Sequence, residues 1–459
     1  MHVLAAPRRR ARGAVSRALT IMDQHGQRIA LVALALNLIV STAYAIVLGD
    51  QLRYLDERDY VELTRSMAEG DGFSTTSGAT AYRPPGYPLL LLPAHLISGG
   101  SVLAMRMVGV LSLAGAIWLV FLLGRRVHSN AVGVLAAVLT AGYPLLAYTA
   151  TALYPQVPAL FLLLLWLHMV LQATSAQDCP AGRRLAYAGI GGLAGGLLTI
   201  TVPTFGPFVL AILGWLAWRH RSGEHRRRIL HTLAIILFAV ALLPTAWCIR
   251  NAMQLHAFVP VSTNNGVNLL LGNSEKITAT SGPGGDISAY RQRAQQLDLD
   301  EVELDHFYRD EALNWIATHP TRAAELYLQK VIQNFSFRNE LATTGQGSTA
   351  KDLVSALTFY PLLGLALLRV LMMRLRPLHT VEQAALWLVI GHVLLLAVFF
   401  TRLRLRMPLD GLTILLAASA VVLLLQRWVA GAGWMAQRLG DNTGDTRDRA
   451  AASSAADER

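Results

Sequence analysis

Apolar runs long enough to cross a bilayer recur along most of this chain, and they leave little freedom about its fold. A helical span needs about 20 apolar residues. Candidates lie at 29–48, 103–124, 131–150, 154–173, 185–200, 205–218, 230–249, 353–373, 383–400 and 408–426. The runs at 185–200 and 205–218 are short, and Pro203 and Pro207 interrupt their junction. Lipid offers no hydrogen-bond partners, so a spanning segment of this kind must be helical. The expectation is an all-α polytopic membrane protein with about ten transmembrane helices. Of the 459 residues, 53% are hydrophobic and 15% charged, too apolar for a soluble protein of this length.

The charges fix an orientation. The first run follows a basic segment that includes Arg8, Arg9, Arg10 and Arg28, and no small-residue cleavage site comes after it. It reads as a retained span, not a signal peptide. Arg125-Arg126, Arg183-Arg184, the cluster from Arg219 to Arg228, and Arg374 with Arg376 then all fall on the same side. Arginine-rich loops stay in the cytoplasm, so both termini are expected inside, with the functional face outside a bacterial inner (plasma) membrane. The chain divides into a basic N-terminus (1–28), an N-terminal transmembrane module (29–249) carrying a first outer loop (49–86), a periplasmic-side segment (250–352), a C-terminal transmembrane module (353–427) and a tail (428–459) whose composition suits disorder. Residues 87–98 are apolar but too short to span, and are expected to lie at the interface or re-enter the membrane. The net charge of +11 is accounted for by the loops, so no nucleic-acid partner is expected. Cys179 and Cys248 fall on opposite sides and support no disulfide. His95, His231, His306, His319 and His392 lack ligand spacing, so no metal site is expected.

The outer segments carry the polar chemistry. Tyr54-Leu55-Asp56-Glu57-Arg58-Asp59-Tyr60 places three carboxylates just beyond the first span. Acidic residues favour helix N-termini, which accounts for them structurally. A carboxylate at a membrane surface is also suited to take a proton from an acceptor hydroxyl, and Asp56, near the start of a helical stretch running from Glu57 to Met67, is best placed. A stiff turn follows, Tyr82-Arg83-Pro84-Pro85-Gly86-Tyr87-Pro88. The second segment holds a Gly/Ser/Pro loop from Thr280 to Gly285 and an amphipathic helical region from Val302 to Phe335. Arg402, Arg404 and Arg406 sit outside, where arginine is disfavoured. Met407 precedes a proline and leans toward extended backbone, which would aim all three side chains one way, while Pro408 suits the first turn of a helix. Guanidinium forks and a helix N-terminus favour a phosphate; the plain alternative is interfacial arginines meeting lipid headgroups. Arg83, stiffened by its prolines, is a second phosphate candidate, and Arg250 a third. The amides of Asn264, Asn265, Asn268 and Asn273 suit sugar hydroxyls, although turns built with Gly266 and Gly272 explain them equally well.

Taken in order, a first span, Asp56-Glu57 ahead of Tyr60, Glu69-Gly70-Asp71-Gly72-Phe73, and Tyr82-Arg83-Pro84-Pro85-Gly86-Tyr87-Pro88 resemble the membrane glycosyltransferases of the C superfamily. The branch is the one similar to protein O-mannosyltransferases and the lipid A aminoarabinose transferase. The likeness continues through Trp247-Cys248-Ile249-Arg250-Asn251, Val261 to Leu269, Leu271-Gly272-Asn273, Arg309 to Leu313 with His319-Pro320, and Arg404-Leu405-Arg406-Met407-Pro408. It implies a hexosyl or pentosyl transfer from a polyprenyl-phosphate carrier to an acceptor hydroxyl on a lipid, glycan or protein; the expected stereochemistry is inversion, because one base and direct displacement suffice. Asp56 matches the family's catalytic base; Asp59 competes, since spacing before the tyrosine varies, and Glu57 and Asp59 are candidates for catalytic support. Arg404, Arg406, Arg402 and Arg83 are candidates for the donor phosphate, and Tyr82, Arg250, Asn264, Asn268 and Asn273 for substrate. Gln156 and the stretch at Val202-Pro203 depart from the family pattern and leave the sugar undecided. No cofactor is expected, because arginines can neutralise a leaving phosphate; a divalent metal stays open, as does the oligomeric state. The rival reading is a transporter or flippase of a lipid-linked glycan, which should show repeated halves with broken helices and charges within its spans.

The orientation predicts that a cysteine placed at Ser281 reacts with an impermeant thiol reagent in cells whose inner membrane is intact, and one at Ser222 does not. Labelling of Ser281→Cys only after permeabilisation would invert the topology.

Overall fold

The computed structural model describes residues 10–174, 180–223, 225–337 and 349–431, and it is helical almost throughout. The order is α1 (Ala5–Leu48), α2 (Leu55–Glu69), a two-stranded hairpin of β1 (Ser74–Thr75) and β2 (Gly78–Ala79), α3 (Gly86–Ser98), α4 (Val102–Val127), α5 (Asn130–Ala141), α6 (Pro144–Thr151), α7 (Gln156–Ser175), α8 (Ala181–Thr201), α9 (Gly206–Arg219) and α10 (Arg226–Leu255). Then come α11 (Asn265–Leu270), α12 (Ser288–Gln296), α13 (Glu301–Thr318), α14 (Pro320–Gln333), α15 (Thr349–Leu371), α16 (Thr380–Leu396) and α17 (Leu403–Ala456).

Among the described residues, six helices are long and apolar enough to cross a membrane: Arg10–Leu48, Val102–Val127, Gln156–Thr174, Arg226–Leu255, Thr349–Arg374 and Leu403–Gly431. A seventh counts if α5 and α6, bent by 56° at their break, form one span. The expected total of ten is not reached by this measure. Three of the runs are the helices α8, α9 and α16: α9 has 14 residues and α16 has 17, too short to span unaided. Glycines dilute the hydropathy of α8 but let it pack closely. A side chain at Gly192 or Gly196 would collide with α10, and one at Gly195 with Trp166, the small-residue contact by which membrane helices approach. The centre is α17, 83% of whose most apolar window is buried, against 22% for α1 and for α15. The basic N-terminal segment continues as helix into the first span, with a break at His25, and Asp23 ties it to the start of α5 by accepting from the Ala131 N–H.

The helices carry charged side chains in their interiors. Arg106, Arg369, Glu382, Arg406 and Asp410 are all buried, and all are paired: Arg106 with Glu57, Arg369 with Glu382 at 2.7 Å, Arg406 with Asp410 at 3.2 Å. Neutralised pairs are the form in which charge survives in such surroundings.

The two long polar segments meet at one end of the bundle. Glu301, at the head of α13, accepts from the Thr80 hydroxyl, the Ala81 N–H and the Thr263 hydroxyl. Arg250, at the end of α10, donates to the carbonyls of Thr80 and Phe73 and stacks over Trp247. Lys330 donates to the carbonyls of Gly272 and Phe399, each at 2.9 Å; burial pushes it down to about 8. The helical region expected from Val302 to Phe335 is two helices, because His319-Pro320 ends α13 and starts α14. The tail expected to be disordered lies largely outside the described residues, as does Cys179; Cys248 is half-buried and free.

A single carboxylate sets the start of α2. Glu57 occupies the third helical position and accepts from the N–H groups of Arg53 and Tyr54, the carboxylate half of a capping box. It also accepts from the Leu153 N–H and from Arg106, whose guanidinium donates in turn to the carbonyls of Gly49, Gln51 and Thr151. Both side chains are shut from solvent. Removing one partner of such a pair costs about 3–5 kcal/mol. Arg106→Leu is therefore expected to lower the thermal unfolding midpoint of the detergent-solubilised protein sharply, with Glu57→Gln added to it restoring part of the loss. An unchanged midpoint in Arg106→Leu would show that the clamp holds nothing.

Candidate active site

Asp56 sits one residue before that clamp, at the second position of α2, and points elsewhere because adjacent helical residues diverge by about 100°. Its Oδ1 accepts from Arg83 Nη2 at 2.6 Å and its Oδ2 from Arg404 Nη1 at 2.6 Å. One carboxylate thus bridges guanidiniums from two remote parts of the chain. Arg83 also donates to Asp59 Oδ2 through Nε at 3.1 Å and Nη2 at 2.6 Å. Asp56, with a side chain 20% exposed, is the enclosed member, and Asp59, at 42%, the open one.

Local sequence explains how each group is held. Gly70 closes α2 with a φ of 92°, a left-handed cap that favours glycine, and its N–H donates to the Ser66 carbonyl. The turn bearing Arg83 ends at Gly86, where a side chain would collide with Thr201 at the end of α8. Tyr87, 1% exposed, then meets the edge of Tyr60 at 4.9 Å. Arg83 lies between the faces of Tyr60 and Tyr82 at 5.6 and 5.5 Å, and Arg404 lies over Tyr154 at 4.6 Å.

Burial by itself raises the Asp56 carboxyl, but the neighbouring charges of Arg404 and Arg83 outweigh it and hold the group below the usual carboxylate range. Arg404 Nε is buried with no hydrogen-bond partner among the described residues. The cluster can therefore do two things: present guanidinium donors to an anion, and supply a carboxylate once those donors are engaged elsewhere.

The remaining expected residues divide. Arg402 packs beside Gly282, and burial and then the charge of Arg404 lower its pKa, so it belongs to the rim of the same cluster. Arg406 does not. The stretch expected to be extended is already helix from Leu403, with Pro408 inside it, so Arg404 and Arg406 point apart. Arg406 is 3% exposed, bound to Asp410 and to the carbonyls of Asn334 and Ser336, and placed over the ring of Phe359. Glu57 is likewise sequestered, in its clamp with Arg106. Arg250 is committed to the carbonyls of the hairpin, Asn273 donates to the carbonyls of Leu269 and Val398, and Asn264 accepts from Ser262. Asn268 is half-buried on α11, and Tyr82, 42% exposed, stands at the mouth of the cluster. His392 is buried against Phe205, and no group of three or more His, Cys, Asp or Glu able to hold a metal occurs among the described residues.

Sequence reasoning missed Arg106 and Tyr154. A lone arginine three residues inside an otherwise apolar run is the signal that marks Arg106. Nothing in the sequence marks Tyr154, since its partner Arg404 is 250 residues away.

Residues 82–247 match the profile of a family described as dolichyl-phosphate-mannose-protein mannosyltransferase. No curated protein matches the chain. Among solved structures, the apo oligosaccharyltransferase of Archaeoglobus fulgidus superposes with a TM-score of 0.53 at 16% identity, covering 87% of this chain and 51% of that one. The same enzyme tethered to an acceptor peptide containing the NVT sequon gives a TM-score of 0.51 at 15% identity, covering 87% and 50%. ArnT from Cupriavidus metallidurans bound to undecaprenyl phosphate gives 0.43 at 12% identity, covering 85% and 77%. The chain spans about half the length of the archaeal enzyme, and at these identities the likeness is one of fold.

Proposed function

From its resemblance to the C-superfamily membrane glycosyltransferases, we propose that this chain transfers a sugar from a polyprenyl-phosphate carrier to an acceptor hydroxyl on the outer face of the inner membrane, with inversion, and with Asp56 as general base. The observation that carries the reading is the bridging of Asp56 by Arg83 and Arg404 at the end of the bundle where the two polar segments meet. The description of the matched family, which names a dolichyl-phosphate sugar, supports the class of donor.

The chemistry follows from competition for the arginines. A donor phosphodiester carries the same single charge as a carboxylate, spread over two free oxygens that each accept from a guanidinium fork, and so competes for Arg83 and Arg404; charge-assisted hydrogen bonds of this kind are worth roughly 1.5–3 kcal/mol each. Arg402 adds charge at the rim. Asp56 is then released from the groups that keep it a poor base, while remaining enclosed. The acceptor oxygen attacks the anomeric carbon, its proton passes to Asp56, and the bond from that carbon to the phosphate oxygen breaks. The leaving phosphate keeps both guanidiniums, which stabilise the charge it gains.

Two measurements test this. Asp56→Asn keeps size and one of the two arginine contacts but accepts no proton. Transfer from a synthetic polyprenyl-phosphate sugar by purified protein should fall by about 10²–10⁴-fold, with Asp59→Asn losing much less. Loss in Asp59→Asn alone would move the base by three residues. A wild-type protein that transferred no sugar from any donor but moved lipid-linked glycan across liposomes would establish the transporter reading instead. The second measurement is the pH profile. A carboxylate base works only when ionised, so activity falls as pH drops through its pKa. In the free protein the arginines depress that pKa, so the acid limb of kcat/KM should lie below the usual carboxylate value of about 4. In the donor complex, burial without the arginines raises it, so the acid limb of kcat should lie at higher pH. Coincident limbs would exclude the exchange.

A further inference from the structure

The first helix leaves one face uncovered: Leu36 is 60% and Val40 63% exposed. Opposite that face, the chain breaks between α5 and α6, and the 56° bend opens a concavity. It holds about 620 Å³ and is walled by Leu36, Val40, Val138, Ala141, Ala147 and Tyr148, within the roughly 300–1,000 Å³ of ligand pockets. Its polar side chains at the floor are already engaged. Asn37, 6% exposed, donates to the Ala141 carbonyl at 2.8 Å, one of the carbonyls that end α5, and Ser41 donates to Asn37. What fills this groove is therefore apolar.

One end of the groove runs into the cluster. Tyr44 lies 6.3 Å from Tyr148, whose hydroxyl hydrogen-bonds that of Tyr54. Tyr54 precedes the first residue of α2 and lies 5.5 Å from Tyr154, the ring beneath Arg404. A row of tyrosines, apolar on their faces and polar at their tips, thus connects an apolar trough to a pair of guanidiniums. That sequence of surfaces fits a ligand with a phosphate at one end and a single long apolar chain at the other.

We infer that the α1–α5–α6 groove takes the prenyl tail of the lipid-linked donor and delivers its phosphate past Tyr148 and Tyr54 to Arg404 and Arg83. The inference rests on the proposed function and adds where the carrier lies.

The test is photolabelling of the full chain in phosphatidylcholine nanodiscs with a polyprenyl phosphate that carries a diazirine in its tail and no sugar. Adducts are expected in residues 33–44 and 138–148. Ala147→Trp, whose indole fills the elbow, should reduce them about tenfold, and Ala33→Trp serves if that variant does not fold. Ile39→Trp, 65% exposed and outside the groove lining, should leave them unchanged. Labelling spread without preference over the exposed helices, or equal groove labelling by a diazirine phosphatidylcholine, would overturn the assignment. Because the probe has no sugar, a labelled groove in a protein that transfers none removes the function and keeps the site. Sugar transfer without groove labelling does the reverse.

Discussion

The Glu57–Arg106 pair is the contact on which the polar cluster around Asp56 depends. Glu57 gathers the N–H groups of Arg53, Tyr54 and Leu153, and Arg106 gathers the carbonyls of Gly49, Gln51 and Thr151. Together they join the end of α1, the start of α2, the interior of α4 and the approach to α7. The end of α1, the start of α2 and the approach to α7 each have backbone groups with no helical partner, and burial makes unpaired ones expensive. A buried ion pair is weak evidence of stability by itself, but this one supplies the missing partners of several chain ends at once. It also fixes the direction of α2, and hence where Asp56 points.

Adjacent carboxylates therefore have opposite fates. Glu57 is sealed into the architecture, and Asp56 is left at the surface of the cluster, bridged by two arginines. Those arginines come from the first polar segment and from the start of the last long helix. Asp56 thus also holds these two regions together. Under the proposed function the electrostatic tie and the general base are one side chain.

Much of this was legible in the sequence. The apolar runs gave the helices their places, and the basic loops gave the bundle two unlike ends. Asp56 and Arg83 were readable as candidate site residues, and they meet in the structure, because a helix start and a proline-stiffened turn hold side chains by local rules. The arginines before Pro408 were not. The residue before a proline leans toward extended backbone, yet Met407 is 4% exposed inside α17, and Arg406 pairs with Asp410 four residues on, a contact that only a helix makes. Packing of the central helix overrode the local preference and separated Arg406 from Arg404. The asparagines at 264 and 273 read equally as sugar ligands or as turn formers, and their hydrogen bonds lie within the protein.

The sequence alone determined that the chain is a bundle of membrane helices and which residue types gather in its polar segments, because hydropathy and charge act on each stretch separately. Only the tertiary structure decided which of two neighbouring carboxylates is sealed in a buried clamp, which one meets Arg83, and which of three nearby arginines reaches it. Those outcomes hang on contacts between residues 56, 83, 106, 154 and 404. Such distances in sequence are closed only when the helices pack, and no local rule of composition or spacing records them.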